Sequence, residues 1–129
     1  MDQLCHCGEV GGYEVCCGPL HRGAKEAATA EQLMRARYSA YVEGDLAFLE
    51  ASWHPEHCPP VIAQLPDHEW LGLRVETVDR GGQLDAEGTV SFVARLRTTG
   101  GVSELRETSR FGRVGGRWVY LDAVGQSRM

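Results

Sequence analysis

The sequence predicts an α+β fold in which a cysteine-rich amino-terminal segment precedes two or three helices and then a run of antiparallel strands. Four cysteines fall within the first 17 residues, helical periodicity runs from residue 29 to residue 52, and a period of two begins near residue 70. Helices followed by strands is the order in which a curved sheet is covered on one face by helices. A chain of 129 residues has room for one such core and a small appended module.

The amino-terminal segment, residues 1–23, is rich in Cys, His and Gly and has almost no periodic apolar pattern. Its four soft ligands suit a tetrahedral zinc ion, and adjacent cysteines fit disulfide geometry badly. We predict that zinc binding orders this segment, since it cannot bury a core of its own. Four ligands leave no open coordination position, so the predicted site is structural. The predicted ligands are Cys5, Cys7, Cys16 and Cys17.

Two histidines leave the ligand set open. His21 in place of Cys17 would give an equally tetrahedral site, and His6 is a further candidate. Without a metal the same cysteines would be free or redox-active thiols, with a strained vicinal disulfide available to Cys16 and Cys17. Cys58, far downstream, is interpreted as a lone thiol.

The helical segment begins at Thr29, which is followed by Glu31 and Gln32 as a helix start. Apolar residues then recur at helical spacing until Gly44 ends the first helix. Asp45 can cap a second helix that reaches Ser52.

Four of the five prolines lie between His54 and Asp67, which predicts a structured loop rather than a helix or a central strand. Beyond this loop, alternating apolar residues separated by glycine pairs predict four strands. Their predicted bounds are 70–78, 89–98, 102–114 and 117–124.

A sheet that curls around its helices forms a cone whose mouth can hold a ligand. Glu107 lies on the same predicted strand face as Leu105 and Phe111, so a carboxylate points toward the apolar side. The other groups that could converge there are Arg37, Tyr38, Tyr41, Trp53, His54, Trp70 and Trp118. A structural interpretation stays open, with Glu107 paired to Arg37 or Arg110, His54 capping the loop, and the aromatic residues forming core.

The segment CHCGEVGGYEVCCGPLH resembles the SEC-C motif, the zinc-binding signature of the bacterial preprotein-translocase ATPase and of many small bacterial proteins. LMRARYSAYVEGD, SWHP and ETSRFGRVGGRWVYLD resemble the YchJ family of bacterial proteins. This resemblance implies a SEC-C segment at residues 1–23 and a cone-shaped domain of the nuclear-transport-factor-2-like fold at residues 24–129. It also implies the same four cysteine ligands. The usual Ser-Gly-Lys of the motif is replaced by Glu9, Val10 and Gly11, which removes a cation.

Charge argues against general nucleic-acid binding. The formal net charge is −5, and four thiolates with one divalent cation would bring it to −5 − 4 + 2 = −7. No apolar run approaches the roughly 20 residues of a membrane span, and no secretory signal is recognisable, so we expect a cytoplasmic protein.

The function that these features favour is a non-enzymatic zinc-binding adaptor that contacts a cytosolic protein partner. The SEC-C resemblance points to protein-export, chaperone or ribosome-associated machinery, by analogy alone. The alternative is a small-molecule-binding protein or enzyme that uses the cone pocket, and a weaker alternative is a nucleic-acid-binding zinc module. The sequence allows a homodimer as well as a monomer.

Overall fold

The computed structural model describes residues 5, 7, 12–62 and 68–128 of the chain. Three helices precede four strands, which confirms the α+β order. The helices are α1 (Cys17–His21), α2 (Ala30–Glu43) and α3 (Leu46–Ala51), and a short 3-10 turn at Tyr13–Val15 precedes α1. The strands are β1 (Glu69–Arg80), β2 (Gly88–Thr98), β3 (Gly101–Val114) and β4 (Arg117–Arg128). Within the described residues, no helix combines the length and apolarity needed to cross a membrane.

The caps of α2 and α3 are those that the sequence predicted. The Thr29 side chain accepts a hydrogen bond from the Gln32 amide at 3.1 Å, and the Asp45 carboxylate accepts one from the Phe48 amide at 3.0 Å. Gly44 ends α2 with a φ of 74°, a left-handed conformation that glycine adopts without steric cost.

Helix α1 was not predicted, because Gly18 and Pro19 are residue types typical of turns. Both residues instead lie inside the first turn of this five-residue helix. Proline is tolerated there because the first amides of a helix have no acceptor within it. Gly18 is required for packing, since a Cβ at this position would lie 2.8 Å from the Tyr13 carbonyl oxygen.

The four strands form one antiparallel sheet in the order β1-β2-β3-β4. Each strand extends beyond its predicted bounds, because the strand ladders continue into the flanking turns. The pairing places Phe92 opposite Glu107 and Val90 opposite Ser109. Directly opposed residues share a face, so Glu107 and Ser109 lie on the inner face that carries the buried core.

Helix α2 covers the inner face of the sheet. Its buried residues pack against strand residues such as Val90, Phe92 and Phe111, and these side chains form the main core. The Ala30 amide donates to the Gly81 carbonyl at 2.8 Å, and a Cβ at Gly81 would lie 2.7 Å from that of Ala30. The start of α2 is therefore fixed directly against the end of β1.

The segment after α3 is attached to β4. The Tyr120 amide donates to the Ser52 carbonyl, and the His54 amide donates to the Tyr120 carbonyl, both at 2.8 Å. These two hydrogen bonds bring Trp53 against the Tyr120 ring, with ring centroids 5.0 Å apart. The helices and the last strand therefore meet around the carboxyl-terminal end of α3.

Candidate metal centre

The four amino-terminal cysteines lie together, with all four Sγ atoms within 4.8 Å of one another. Two of the separations are 3.6 Å, between Cys7 and Cys16, and 3.9 Å, between Cys16 and Cys17. A tetrahedral zinc site with Zn–S bonds of about 2.3 Å has sulfur atoms about 3.8 Å apart. The donor set and its spacing therefore fit a tetrahedral metal ion. We call these four residues the four-cysteine site.

Local backbone structure positions the second cysteine pair. Cys16 lies between the 3-10 turn and α1, and its amide donates to the Tyr13 carbonyl at 3.2 Å. Cys17 is the first residue of α1, so the change of chain direction at Cys16 brings both thiols to one side. Cys5, Cys7 and Cys17 are buried, whereas Cys16 is half-buried.

The four thiols can all be ionised to thiolates only when a cation lies between them. Burial, followed by a hydrogen bond with Cys7, raises the pKa of Cys16 to about 12, and a hydrogen bond with Cys7 together with burial raises the pKa of Cys17. A metal ion must therefore displace protons when it binds, because thiolates are the ligating form. Since protons compete with the metal, affinity falls as the pH falls.

The structure places His21, the predicted alternative ligand, outside the sulfur group. Its Nε2 lies 2.8 Å from the Ala36 carbonyl oxygen in α2, and its Nδ1 lies 2.6 Å from the Tyr13 hydroxyl. The imidazole also contacts the Phe48 ring, with centroids 4.7 Å apart. His21 therefore joins the cysteine-rich segment to α2 and α3. His6 lies outside the described residues, as do Glu9, Val10 and Gly11.

Replacing His21 by alanine distinguishes a structural role for this residue from a role as a metal ligand. We expect His21→Ala to lower the free energy of unfolding by about 2 to 3 kcal/mol, because two hydrogen bonds and two ring contacts are lost. Metal content should stay at that of the wild type, since both ring nitrogens are used elsewhere. Urea unfolding together with elemental analysis checks both, and loss of bound metal from a folded variant would instead make His21 a ligand.

Two residues of α2 support the four-cysteine site, and sequence analysis missed both. Arg35 Nη1 donates to the Cys7 carbonyl at 2.6 Å, while its Nε donates to Glu31 at 2.9 Å. The Ser39 hydroxyl is buried and lies 3.9 Å from Cys5 Sγ. Their roles depend on contacts 28 and 34 residues apart in the chain, which no local pattern indicates.

A second polar group occupies the inner face of the sheet and contains several of the predicted pocket residues. We call it the Arg37 cluster. Its members are Arg37, Tyr41, Trp53, Trp70, Glu107 and Tyr120. Arg37 is buried, and the other five side chains are half-buried. Tyr38 borders the cluster through an edge contact with Trp70, and burial raises its pKa to about 12.

The structure gives Glu107 other partners than the predicted ones and places His54 in the loop, as the structural interpretation expected. Glu107 accepts hydrogen bonds from Ser109 at 2.5 Å and from Tyr120 at 3.5 Å, whereas Arg110 pairs with Asp122 at 2.7 Å. The His54 ring lies in the loop, where its Nδ1 accepts from the Glu56 amide at 3.1 Å. The structure thus brings Glu107 beside Tyr120 and uses His54 to order the loop.

Comparison with known proteins agrees with this architecture. The family model described as the middle NTF2-like domain of YchJ matches residues 29–123, which is most of the chain. The chain belongs to the YchJ family. YchJ-family relatives include a UPF0225 protein of Ralstonia nicotianae, which is 47% identical over 92% of this chain and 88% of its own length. A UPF0225 protein of Streptomyces coelicolor is 45% identical over 92% of both chains.

Two solved structures resemble this YchJ-family chain. One is the solution structure of a SEC-C motif containing protein from Rhodopseudomonas palustris, with a TM-score of 0.84 and 33% identity over 94% of this chain and 97% of that one. The other is a crystal structure of a SEC-C motif containing protein from Psychrobacter arcticus, with a TM-score of 0.73 and 25% identity. It covers 93% of this chain and 81% of that one. The YchJ-family architecture is therefore an NTF2-like domain preceded by a SEC-C-type cysteine group.

Proposed function

We propose that the four-cysteine site holds one structural zinc ion and that the segment it orders is the docking surface of a non-enzymatic adaptor for a cytoplasmic protein partner. Four sulfur donors favour zinc over hard cations such as Mg²⁺ or Ca²⁺. Because all four tetrahedral positions are filled by protein, the ion has no position for substrate water. The role of the ion would be to order the cysteine-rich segment.

A groove beside the metal site carries the proposal. Its volume is about 330 Å³, and both the cysteine-rich segment and α2 line it. We call it the knuckle groove; its lining includes Cys7, Cys16, Lys25, Thr29, Gln32 and Arg35. Metal binding would therefore fix one wall of the groove against the other, which makes the surface dependent on zinc.

The chemistry of the knuckle groove favours a partner with carbonyl or carboxylate groups. Lys25 is the only lysine of the chain, and it is exposed at this groove. Gln32 uses its side-chain oxygen to accept from the Ala28 amide at 2.6 Å, which leaves its NH₂ group as the donor for a partner. Lys25, in the segment that follows α1, would give this groove a cation for such a partner.

The SEC-C likeness makes the protein-export, chaperone or ribosome-associated machinery the first place to search for this partner. This part of the proposal rests on analogy to other SEC-C proteins. A reducing cytoplasm suits it, because free thiolates persist there and can keep a zinc ion.

Affinity capture with the intact chain tests the adaptor role. We expect wild type and Arg95→Glu to enrich the same specific partner, and Lys25→Glu to lose it, since both substitutions reverse one exposed charge but only Lys25 lines the groove. Mass spectrometry of the captured proteins at two salt concentrations is the measurement. Equal enrichment by all three chains, or no partner specific to wild type, would contradict the proposal.

A further inference from the structure

Arg37 is a buried cation that the adaptor role does not use. Its exposed fraction is 6%, and its Nη1 donates to the Leu49 carbonyl at 2.9 Å and to Ser52 Oγ at 2.7 Å. Among the residues that the structure describes, no carboxylate forms an ion pair with it. Burial lowers the pKa of this guanidinium. A buried charge without a directly paired carboxylate is costly, so a further acceptor or anion at this site would lower that cost.

Aromatic rings surround the guanidinium. Its Cζ atom lies 4.8 Å from the centroid of the Trp53 ring and 4.4 Å from that of Tyr120. The Tyr41 hydroxyl lies near the guanidinium, whose charge opposes the rise that burial causes in the pKa of Tyr41. The Tyr41 ring lies 6.3 Å from that of Trp70. Because these four rings are half-buried, the wall that they form reaches the solvent.

Two hydrogen-bond donors of the cluster have no acceptor. The indole Nε1 atoms of Trp53 and Trp70 are both buried and have no hydrogen-bond partner. Buried indole N–H groups are normally paired, so two such donors next to a guanidinium are a surplus that an oxygen-bearing ligand would reduce.

Glu107 limits the charge that the cluster can accept. Its carboxylate is held by Ser109 and Tyr120 and lies near enough to Arg37 to favour the charged guanidinium. One carboxylate near the guanidinium offsets part of its charge, so a dianion such as phosphate would be poorly compensated. A single carboxylate carries half that charge, and its oxygens can also accept from the unpartnered indole N–H groups. The aromatic wall suits a flat apolar body.

We propose that the Arg37 cluster is a binding site for a small aromatic monocarboxylate, with the carboxylate at Arg37 and Tyr41 and the ring against Trp53 and Trp70. This site is separate from the knuckle groove. It is independent of the adaptor role.

Benzoate, with neutral benzamide as its matched probe, tests the proposal on the zinc-loaded full-length protein. The indole N–H signals of the three tryptophans report the binding in ¹H–¹⁵N spectra, each assigned with a Trp→Phe variant. We expect benzoate to shift the Trp53 and Trp70 signals in a saturable way, and benzamide to bind about tenfold more weakly. Trp118, whose Nε1 donates to the Ala28 carbonyl at 3.2 Å, is the internal control and should not move.

Two substitutions isolate the charges. Arg37→Met should abolish the saturable shifts, and Glu107→Gln should tighten benzoate binding about threefold or more by removing the competing anion. Glu107→Gln keeps the size of the side chain, so it tests the site even if Arg37→Met folds poorly. Equal affinity for benzoate and benzamide, equal movement of all three indole signals, or unchanged affinity in Glu107→Gln would overturn the proposal.

Discussion

Cys7→Ser is expected to lose the bound metal and, with it, the ordered structure of the cysteine-rich segment. Cys7 is fully buried, and its Sγ lies 3.6 Å from that of Cys16, so the serine oxygen would replace a central sulfur. Structural zinc contributes about 10 kcal/mol or more to the ordering of small zinc modules. Hydrogen exchange should show that amide protection in α1 is lost.

The effect should spread to one face of α2 and stop there. Ala36 is buried among the cysteines, and the Arg35 bond to the Cys7 carbonyl would be lost with the segment. The main core is formed by α2 and the sheet without the cysteines, so β2 and β3 should keep their slow exchange. A moderate decrease in melting temperature is therefore expected instead of global unfolding.

Cys58→Ser is the matched control for this prediction. Cys58 is half-buried and lies in the loop, where its thiol contacts the Pro59 carbonyl at 3.5 Å. This variant should retain the metal ion proposed for the four-cysteine site and wild-type protection of α1. If Cys7→Ser kept its metal and its protection, the four-cysteine site would not be what orders this segment.

The order of helices and strands was predictable because local patterns determine it. Thr29, Gly44 and Asp45 act within four residues of their own positions, and the glycine pairs separate runs of alternating residues. Helix α1 was missed because Gly18 and Pro19 are normally read as turn residues, although both are compatible with the first turn of a helix.

The cysteines of the metal site could be recognised from their spacing, but their surroundings could not. His21 and Cys17 have equivalent ligating chemistry, and only the tertiary contact of His21 with the Ala36 carbonyl distinguishes them. The same limit applies to Arg37, since its position on α2 indicates an inner face but not its contacts with Trp53 and Tyr120. Contacts between distant segments decide such roles.

At Arg37, the conservative substitution is expected to be the more damaging one. Arg37→Lys should lower the free energy of unfolding by about 3 kcal/mol, because it buries a strongly hydrated ammonium that cannot stack between two rings. Arg37→Met should cost about 1 kcal/mol. The Leu49 carbonyl that loses Arg37 can accept instead from Ser52 Oγ, which lies 3.3 Å away. The Ser52 hydroxyl can turn from the Phe48 carbonyl, because that carbonyl also accepts from the Ser52 amide at 2.9 Å.

The pH dependence of the two variants separates charge from packing. Burial lowers the pKa of a lysine, so the unfolded state of Arg37→Lys binds more protons than the folded state and its stability rises with pH. The stability difference between the Lys and Met variants should therefore shrink as the pH is raised from about 7 toward about 10. Urea unfolding followed by tryptophan fluorescence measures this. If the Lys variant were as stable as wild type at neutral pH, or if the difference were independent of pH, the cost would lie in packing and not in the buried charge.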